Sequence, residues 1–163
     1  MNTFCARTVT LVGEFVVPAS VEDVFPLFSP EGERSWVPGW DPEVLHPPRG
    51  EWREGQVFRT REETGEAVWV ITRLDRARSA VEYHRVEPGR YVAHVAVRCR
   101  EAPDRQAHVT VAYSFVGLSE SGNREIASMT QEAYDAKMSR WSEWIRRYLD
   151  GGSRLEDGSG SKP

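Results

Sequence analysis

The sequence predicts an α+β fold in which a curved antiparallel β-sheet wraps one long C-terminal α-helix. Three observations predict it. Segments of alternating apolar and polar residues, separated by short turns, follow one another from about residue 56 to residue 118. Residues 123–152, NREIASMTQEAYDAKMSRWSEWIRRYLDGG, repeat their apolar side chains at helical spacing with no internal Pro or Gly before Gly151. No strand–helix–strand alternation separates the segments, which argues against a parallel nucleotide-binding sheet.

Residues 7–17, RTVTLVGEFVV, set Val9, Leu11, Phe15 and Val17 against Thr8, Thr10 and Glu14, the pattern of a half-buried strand that Pro18 ends. Ser20 reads as an N-cap with Asp23 three positions on, and Pro26 shortens or kinks the helix it opens. Ser29-Pro30-Glu31 repeats the signal, so a second short helix runs to about Trp36. In WVPGWDPEVLHPP (36–48) four prolines exclude regular helix or a central strand over most of the segment. Trp36 and Trp40 either plug that loop or contact a ligand at a cavity mouth. Strands follow at 56–62, 67–75, 80–87, 91–100 and 107–118, and Pro88-Gly89 carries a type II turn signature.

On the C-terminal helix Ile126, Thr130, Ala133, Tyr134, Lys137, Trp141, Trp144, Ile145 and Tyr148 share a side, over a length of about 40 Å. Gly151-Gly152 supplies a stop. Beyond it the Gly/Ser-rich residues 151–163 have too few apolar side chains to offset their ordering entropy, so a disordered tail is expected after a single domain spanning 1–150.

The 163 residues carry a mild net charge of −4 with no basic run, which recommends neither nucleic acid nor an anionic membrane surface. Cys5 and Cys99 form no disulfide framework and have no metal-ligand spacing, so they read as thiols of a reducing compartment. No apolar run is long enough to span a bilayer. Glu14 and Gly13 interrupt VTLVGEFVVPAS, which suits a strand better than a signal peptide, and the protein is expected to be cytoplasmic.

One curved sheet gripping the long helix, with two short helices beside it, is the compact arrangement: a helix grip. Hollows between helix and sheet are common small-molecule sites. The chain resembles the START-like, or SRPBCC, superfamily over about residues 7–149. The resemblance rests on VPASVEDVFPLFSPEGERSWVPGWDPE after the first strand, on WVITRLD and VEYHRVEPG, on VTVAYSFVGLSESGN, and on the closing AYDAKMSRWSEWIRRYL. It implies a cavity for lipids, sterols, polyketides or other hydrophobic molecules, and in a minority of members cyclisation or dehydration. No catalytic signature of that minority is matched residue for residue.

The expected ligand-binding residues are therefore Trp36, Trp40, Trp69, Tyr83, His94, Tyr113, Tyr134, Lys137 and Trp141, around a hydrophobic or aromatic small molecule. No cofactor or metal is expected, because HExxH, His-x-His and His/Cys clusters are absent, as are a GxSxG elbow and a Gly-rich phosphate loop. A homodimer is an admissible assembly. Lys137 either lays its stem along the apolar stripe or places a cation in the cavity. With Glu87 opposite Arg90, Tyr83 falls opposite His94; if that face is inward, His94 and Tyr83 form a polar pair in an oily pocket. Tyr91, Ala93, Val95 and Val97 form the cleaner apolar set and would then face outward, or take the inner face themselves and put His94 outside. Glu33 reads as a first-turn helix acid or as a polar contact beside Trp36. Binding is the leading reading; the alternative is a cyclase/dehydratase-like enzyme using His94, Tyr83 or Lys137 as acid–base groups.

Overall fold

A computed structural model describes residues 3–155. Strand β1 (Thr8–Val17) is followed by α1 (Val21–Val24), a 3₁₀ turn (Phe25–Phe28) and α2 (Pro30–Glu33). Six strands come next: β2 (Glu43–His46), β3 (Val57–Glu62), β4 (Gly65–Asp75), β5 (Ala80–Glu87), β6 (Tyr91–Ala102) and β7 (Gln106–Gly117). Helices α3 (Glu120–Ala127) and α4 (Gln131–Leu149) complete the chain. All seven strands form one antiparallel sheet in the order β1-β7-β6-β5-β4-β3-β2, and its inner face is covered by α4 and the short helical segments.

The short helices form where serine can cap them. Ser20 accepts from the Asp23 amide and Ser29 from the Gly32 amide, with Pro30 at the first helical position. Strand β2 lies within the Pro-rich loop as an edge strand, a short element the sequence reading did not assign there. Between Pro42 and Pro47 four residues can still pair, and as an edge strand β2 needs hydrogen bonds on one side only.

The long helix expected over 123–152 is two helices. Ser128 ends α3, its hydroxyl donating to the Glu125 carbonyl at 2.6 Å, and Thr130 accepts from the Ala133 amide at 3.2 Å to start α4. A Ser and a Thr flanking Met129 offered side-chain partners for free backbone groups, and those partners favour a break over continuous helix. Helix α3 begins earlier than expected, at a Ser119 cap. It docks so closely on the β5–β6 turn that a β-carbon at Gly122 would lie 1.8 Å from the Arg90 carbonyl oxygen.

Helix α4 buries Tyr134, Met138, Trp141 and Ile145 and runs beside β1. Gly13 permits that approach, since a β-carbon there would lie 2.5 Å from Met138 Cγ. Gln131 Nε2 donates to the Val12 carbonyl at 2.8 Å and Arg146 Nη2 to the Val16 carbonyl at 2.7 Å, fixing both ends of the helix to the edge strand.

The β5–β6 register differs from expectation by one residue. Glu87 pairs with Tyr91, so Tyr83 lies opposite Val95 and His84 opposite His94. The backbone of Arg90 is used elsewhere. Its amide closes the turn onto the Glu87 carbonyl at 3.0 Å, and its carbonyl accepts from Leu118 at 2.8 Å. Of the expected tail, residues 156–163 lie outside the described part; within it, Arg154 donates to the Trp40 carbonyl at 2.9 Å. Among the described residues no helix is long and apolar enough to cross a membrane.

Candidate binding site between sheet and helix

Antiparallel register lays the inner face out in rows. One row reads Leu11, Tyr113, Val95, Tyr83, Ile71 across β1, β7, β6, β5 and β4. The next reads Val9, Phe115, Ala93, Arg85, Trp69, Phe58. Successive inward positions of β5 are Val81, Tyr83, Arg85 and Glu87, so the face grades from apolar to charged along the strand. Val97, Val109 and Val111 extend its apolar end.

The charged end is deeply buried. Arg85 is 2% exposed, with Nη2 at 3.3 Å from Glu87 and 3.5 Å from Glu62. Its guanidinium lies 5.1 Å from the Trp69 ring centre and 5.8 Å from that of Tyr91. Glu87 also meets Arg90 at 2.8 Å, and Arg90 Nε donates to Glu125 of α3 at 3.0 Å. Thr60 accepts from the Trp69 indole at 3.0 Å and donates to Glu62 at 2.8 Å. Ion pairs thus run from Arg85 through Glu87 and Arg90 to Glu125 of α3, with the Trp69 and Tyr91 rings against the Arg85 guanidinium.

Glu33 is 2% exposed. At the last position of α2 it is turned inward, where a purely dipole-stabilising acid would stand in water. Its charge reaches two tyrosines. Burial first, then Glu33, hold the Tyr83 phenol well above its ordinary value. Burial, then Tyr134 and Glu33, do the same for Tyr113 against an opposing pull from Arg85. Burial likewise raises Tyr134, and pushes Tyr91 up to about 12.

The predicted site residues separate into four groups. Tyr83, Tyr113, Tyr134, Trp69 and Trp141 are buried inside. Trp36 and Trp40 are buried too, and their indoles donate to the Leu27 and Pro30 carbonyls, each at 2.8 Å, so both pin the short helical segments. Trp36 also meets Trp141 edge-on at 5.4 Å, and Trp40 meets Trp69 at 5.6 Å. Lys137 is half-buried with Nζ 6.0 Å from the Tyr134 ring centre, a placement that keeps its stem along α4 and its charge over an aromatic face.

His94 is a correction. It lies on the outer face, its side chain 36% exposed, with Nε2 2.9 Å from Glu82 and its ring 4.9 Å from His84. The apolar set Tyr91, Ala93, Val95, Val97 claims the inner face and period two puts His94 outside. It therefore cannot pair with Tyr83 or reach an interior ligand.

Residues not singled out from sequence, Arg85, Glu87, Glu62 and Thr60, make up the polar end. The signal was present: once Tyr83 faces inward, alternation carries Arg85 and Glu87 with it. An open groove of about 890 Å³ lies over the same end, lined among others by Trp40, Pro42, Val44, Arg61, Thr60 and Glu62. Among the described residues no three His, Cys, Asp or Glu side chains are grouped to hold a metal ion.

The buried phenols set an expected alkaline limit. Tyrosines of the unfolded chain lose protons near pH 10, whereas Tyr83, Tyr91, Tyr113 and Tyr134 keep theirs when folded. Above that pH the unfolded state binds fewer protons than the folded one, so stability falls as pH rises. It is intact below about pH 10 and is lost upward through about 12, where Tyr91 titrates. Tyrosinate absorbance from these four should appear together with loss of near-ultraviolet dichroism; their ionisation in a still-folded protein would contradict the burial.

No family model and no curated protein matches the chain at the level of sequence. Solved structures do match in shape. Norcoclaurine synthase from Thalictrum flavum, in complex with dopamine and hydroxybenzaldehyde, superposes with a TM-score of 0.64 at 13% identity, covering 91% of this chain and 90% of that one. A hypothetical protein from Helicobacter pylori gives 0.67 at 9%, covering 86% and 87%. A Rhizobium loti protein gives 0.62 at 15%, covering 90% and 100%. At such identities the likeness carries the fold alone, and that fold is the helix grip expected from the sequence.

Proposed function

We propose that this chain, a START-like helix-grip fold, binds a hydrophobic or aromatic small molecule between the sheet and α4. The observation that carries the reading is the burial of Glu33, Arg85, Glu87 and the Tyr113 hydroxyl among aromatic rings. A core selected for stability alone gains little from buried ions, since apolar residues of like volume do as well or better. Groups of this kind instead orient a guest whose affinity comes from apolar area removed from water, about 25 cal/mol per Å². The apolar end of the inner face would take the body of the ligand and the polar end its functional group. Thr60 and Glu62 line the open groove and also bond Trp69 and Arg85, which makes the groove the natural mouth of the site. A neighbour of the same fold holding two aromatic molecules is consistent with this use.

Native mass spectrometry of freshly purified protein, followed by titration of tryptophan emission with a panel of aromatic and lipophilic compounds, tests the reading. Retained lipophiles or saturable quenching are expected. Neither co-purified mass nor saturable quenching by any panel member would sink it.

A second reading, acid–base catalysis of the cyclase/dehydratase kind, is favoured by one observation: a buried carboxyl whose field reaches Tyr83 and Tyr113. In that reading Glu33 takes the place proposed for His94, with Tyr83 and Lys137 remaining from the original set. Glu33→Gln would then abolish turnover of a bound compound while leaving its binding in place.

A further inference from the structure

The outer face of the sheet is less polar than a water-facing side should be. Antiparallel strands with one solvated face set polar residues outward, yet one outward row across β7, β6, β5 and β4 is Val116, Val92, Val86, Val68. All four are half-buried or exposed, Val116 at 38%. Val70 and Val57 continue the patch in the next row. The polar groups among these residues already have partners within the same copy. Thr10 meets Ser114 at 3.2 Å, His94 meets Glu82 at 2.9 Å and His84 meets Thr72 at 3.2 Å. Acid and base around the valines are matched as well, Arg59 with Glu43 at 2.7 Å and Arg73 with Glu82 at 3.6 Å. Such a face sheds water without orphaning a hydrogen bond, and it carries no excess of one sign to repel a like face. The edges of the sheet offer no comparable opening. Gln131 and Arg146 occupy the Val12 and Val16 carbonyls of β1, and β2 is four residues long.

We propose that the outer face of the sheet is a self-association surface, on which two copies of this chain pack about a two-fold axis, valine row against valine row. An axis running along the strands between β5 and β6 sets Val92 over Val86 of the partner subunit and Val116 over Val68 of the partner subunit, so the row is complementary to itself. Strands about 4.8 Å apart, rising about 3.4 Å per residue, give the patch roughly 24 Å by 20 Å, or about 500 Å² from each copy. That is the lower limit for a specific interface, so the dimer is weak and reversible, micromolar or looser.

Sedimentation velocity of the full chain, from about 1 µM to about 1 mM, tests the assignment. Wild type should pass from monomer to dimer and no further. Val86→Lys and Val92→Glu should each stay monomeric and melt like dilute wild type, because self-association would bury an unpaired charge against valine. An equimolar mixture of the two should recover the dimer, since a row that meets its own copy sets the lysine against the glutamate. Val116→Lys with Val68→Glu is a second pair should either of the first not fold. Tyr148→Lys replaces an apolar residue of comparable exposure on α4 and should associate as wild type does. Wild type that is monomeric throughout overturns the proposal, and if it then sediments with phosphatidylcholine vesicles the face belongs to a lipid surface. A dimer that persists in the single variants, a mixture that stays monomeric, or growth beyond the dimer overturns it equally.

Discussion

Arg85→Ala is expected to lower the melting temperature by roughly 6–20 °C, the equivalent of about 3–5 kcal/mol for a chain of this size. The loss is not the strength of the ion pairs. Removing the guanidinium takes away the charge between Glu87, 3% exposed, and Glu62, leaving Glu87 to Arg90 alone and Glu62 to the Thr60 hydroxyl, so both buried carboxylates are less fully compensated. Trp69 and Tyr91 lose the cation over their faces as well. The triple variant Arg85→Met, Glu62→Gln, Glu87→Gln should recover most of the loss, since deleting a whole buried network is often neutral. Thermal melts of the two variants decide the matter. If Arg85→Ala costs less than about 1 kcal/mol, the network is solvated in a way its burial contradicts. If the triple variant is as unstable as the single one, the charges are structural and their role in recognising a guest loses its main support.

How far the sequence revealed this arrangement depends on which physical signal each part leaves. The strands were legible because period-two alternation and Pro88-Gly89 are local features. The break at Ser128–Thr130 was hidden by the uninterrupted helical spacing of apolar side chains around it; the decisive contacts are two hydroxyls on backbone groups, worth about 1 kcal/mol each. Strand β2 was hidden for the opposite reason, since prolines on both sides outweigh four pairable residues. The face of His94 turned on a single residue of register. That register is fixed by the Arg90 carbonyl accepting from Leu118, a contact between residues 28 positions apart that no turn rule contains. For the site itself, aromatic residues at helical and strand spacing pointed inward correctly. The charged end went unmarked because Arg and Glu in a strand ordinarily face water. Only the shared parity of Val81, Tyr83, Arg85 and Glu87 reveals them, and only after one member of the series has been placed.

Trp141→Ala is expected to cost about 3–5 kcal/mol and to be partly rescued by indole. Trp141 is buried against Trp36 on one side and shares the buried face of α4 with Met138, which lies against Gly13 of β1, and with Ile145. Its neighbours cannot collapse into the space it leaves. Trp36 is tethered to the Leu27 carbonyl, and α4 is pinned at both ends by Gln131 and Arg146. A rigid apolar void of that kind stays dry and accepts an aromatic molecule of matching size. Indole at a hundred times its dissociation constant would then restore about 2.7 kcal/mol, or roughly 5–11 °C of melting temperature for a chain of this length. A variant that is destabilised but indifferent to indole would mean that α4 closes onto the sheet when the ring is removed. The helix would then be a mobile cover rather than a fixed wall. Wild-type protein supplies the complementary reading. A rise in its own melting temperature with indole means the native interior already admits an aromatic guest, whereas rescue confined to Trp141→Ala means that this ring fills the space a guest would need.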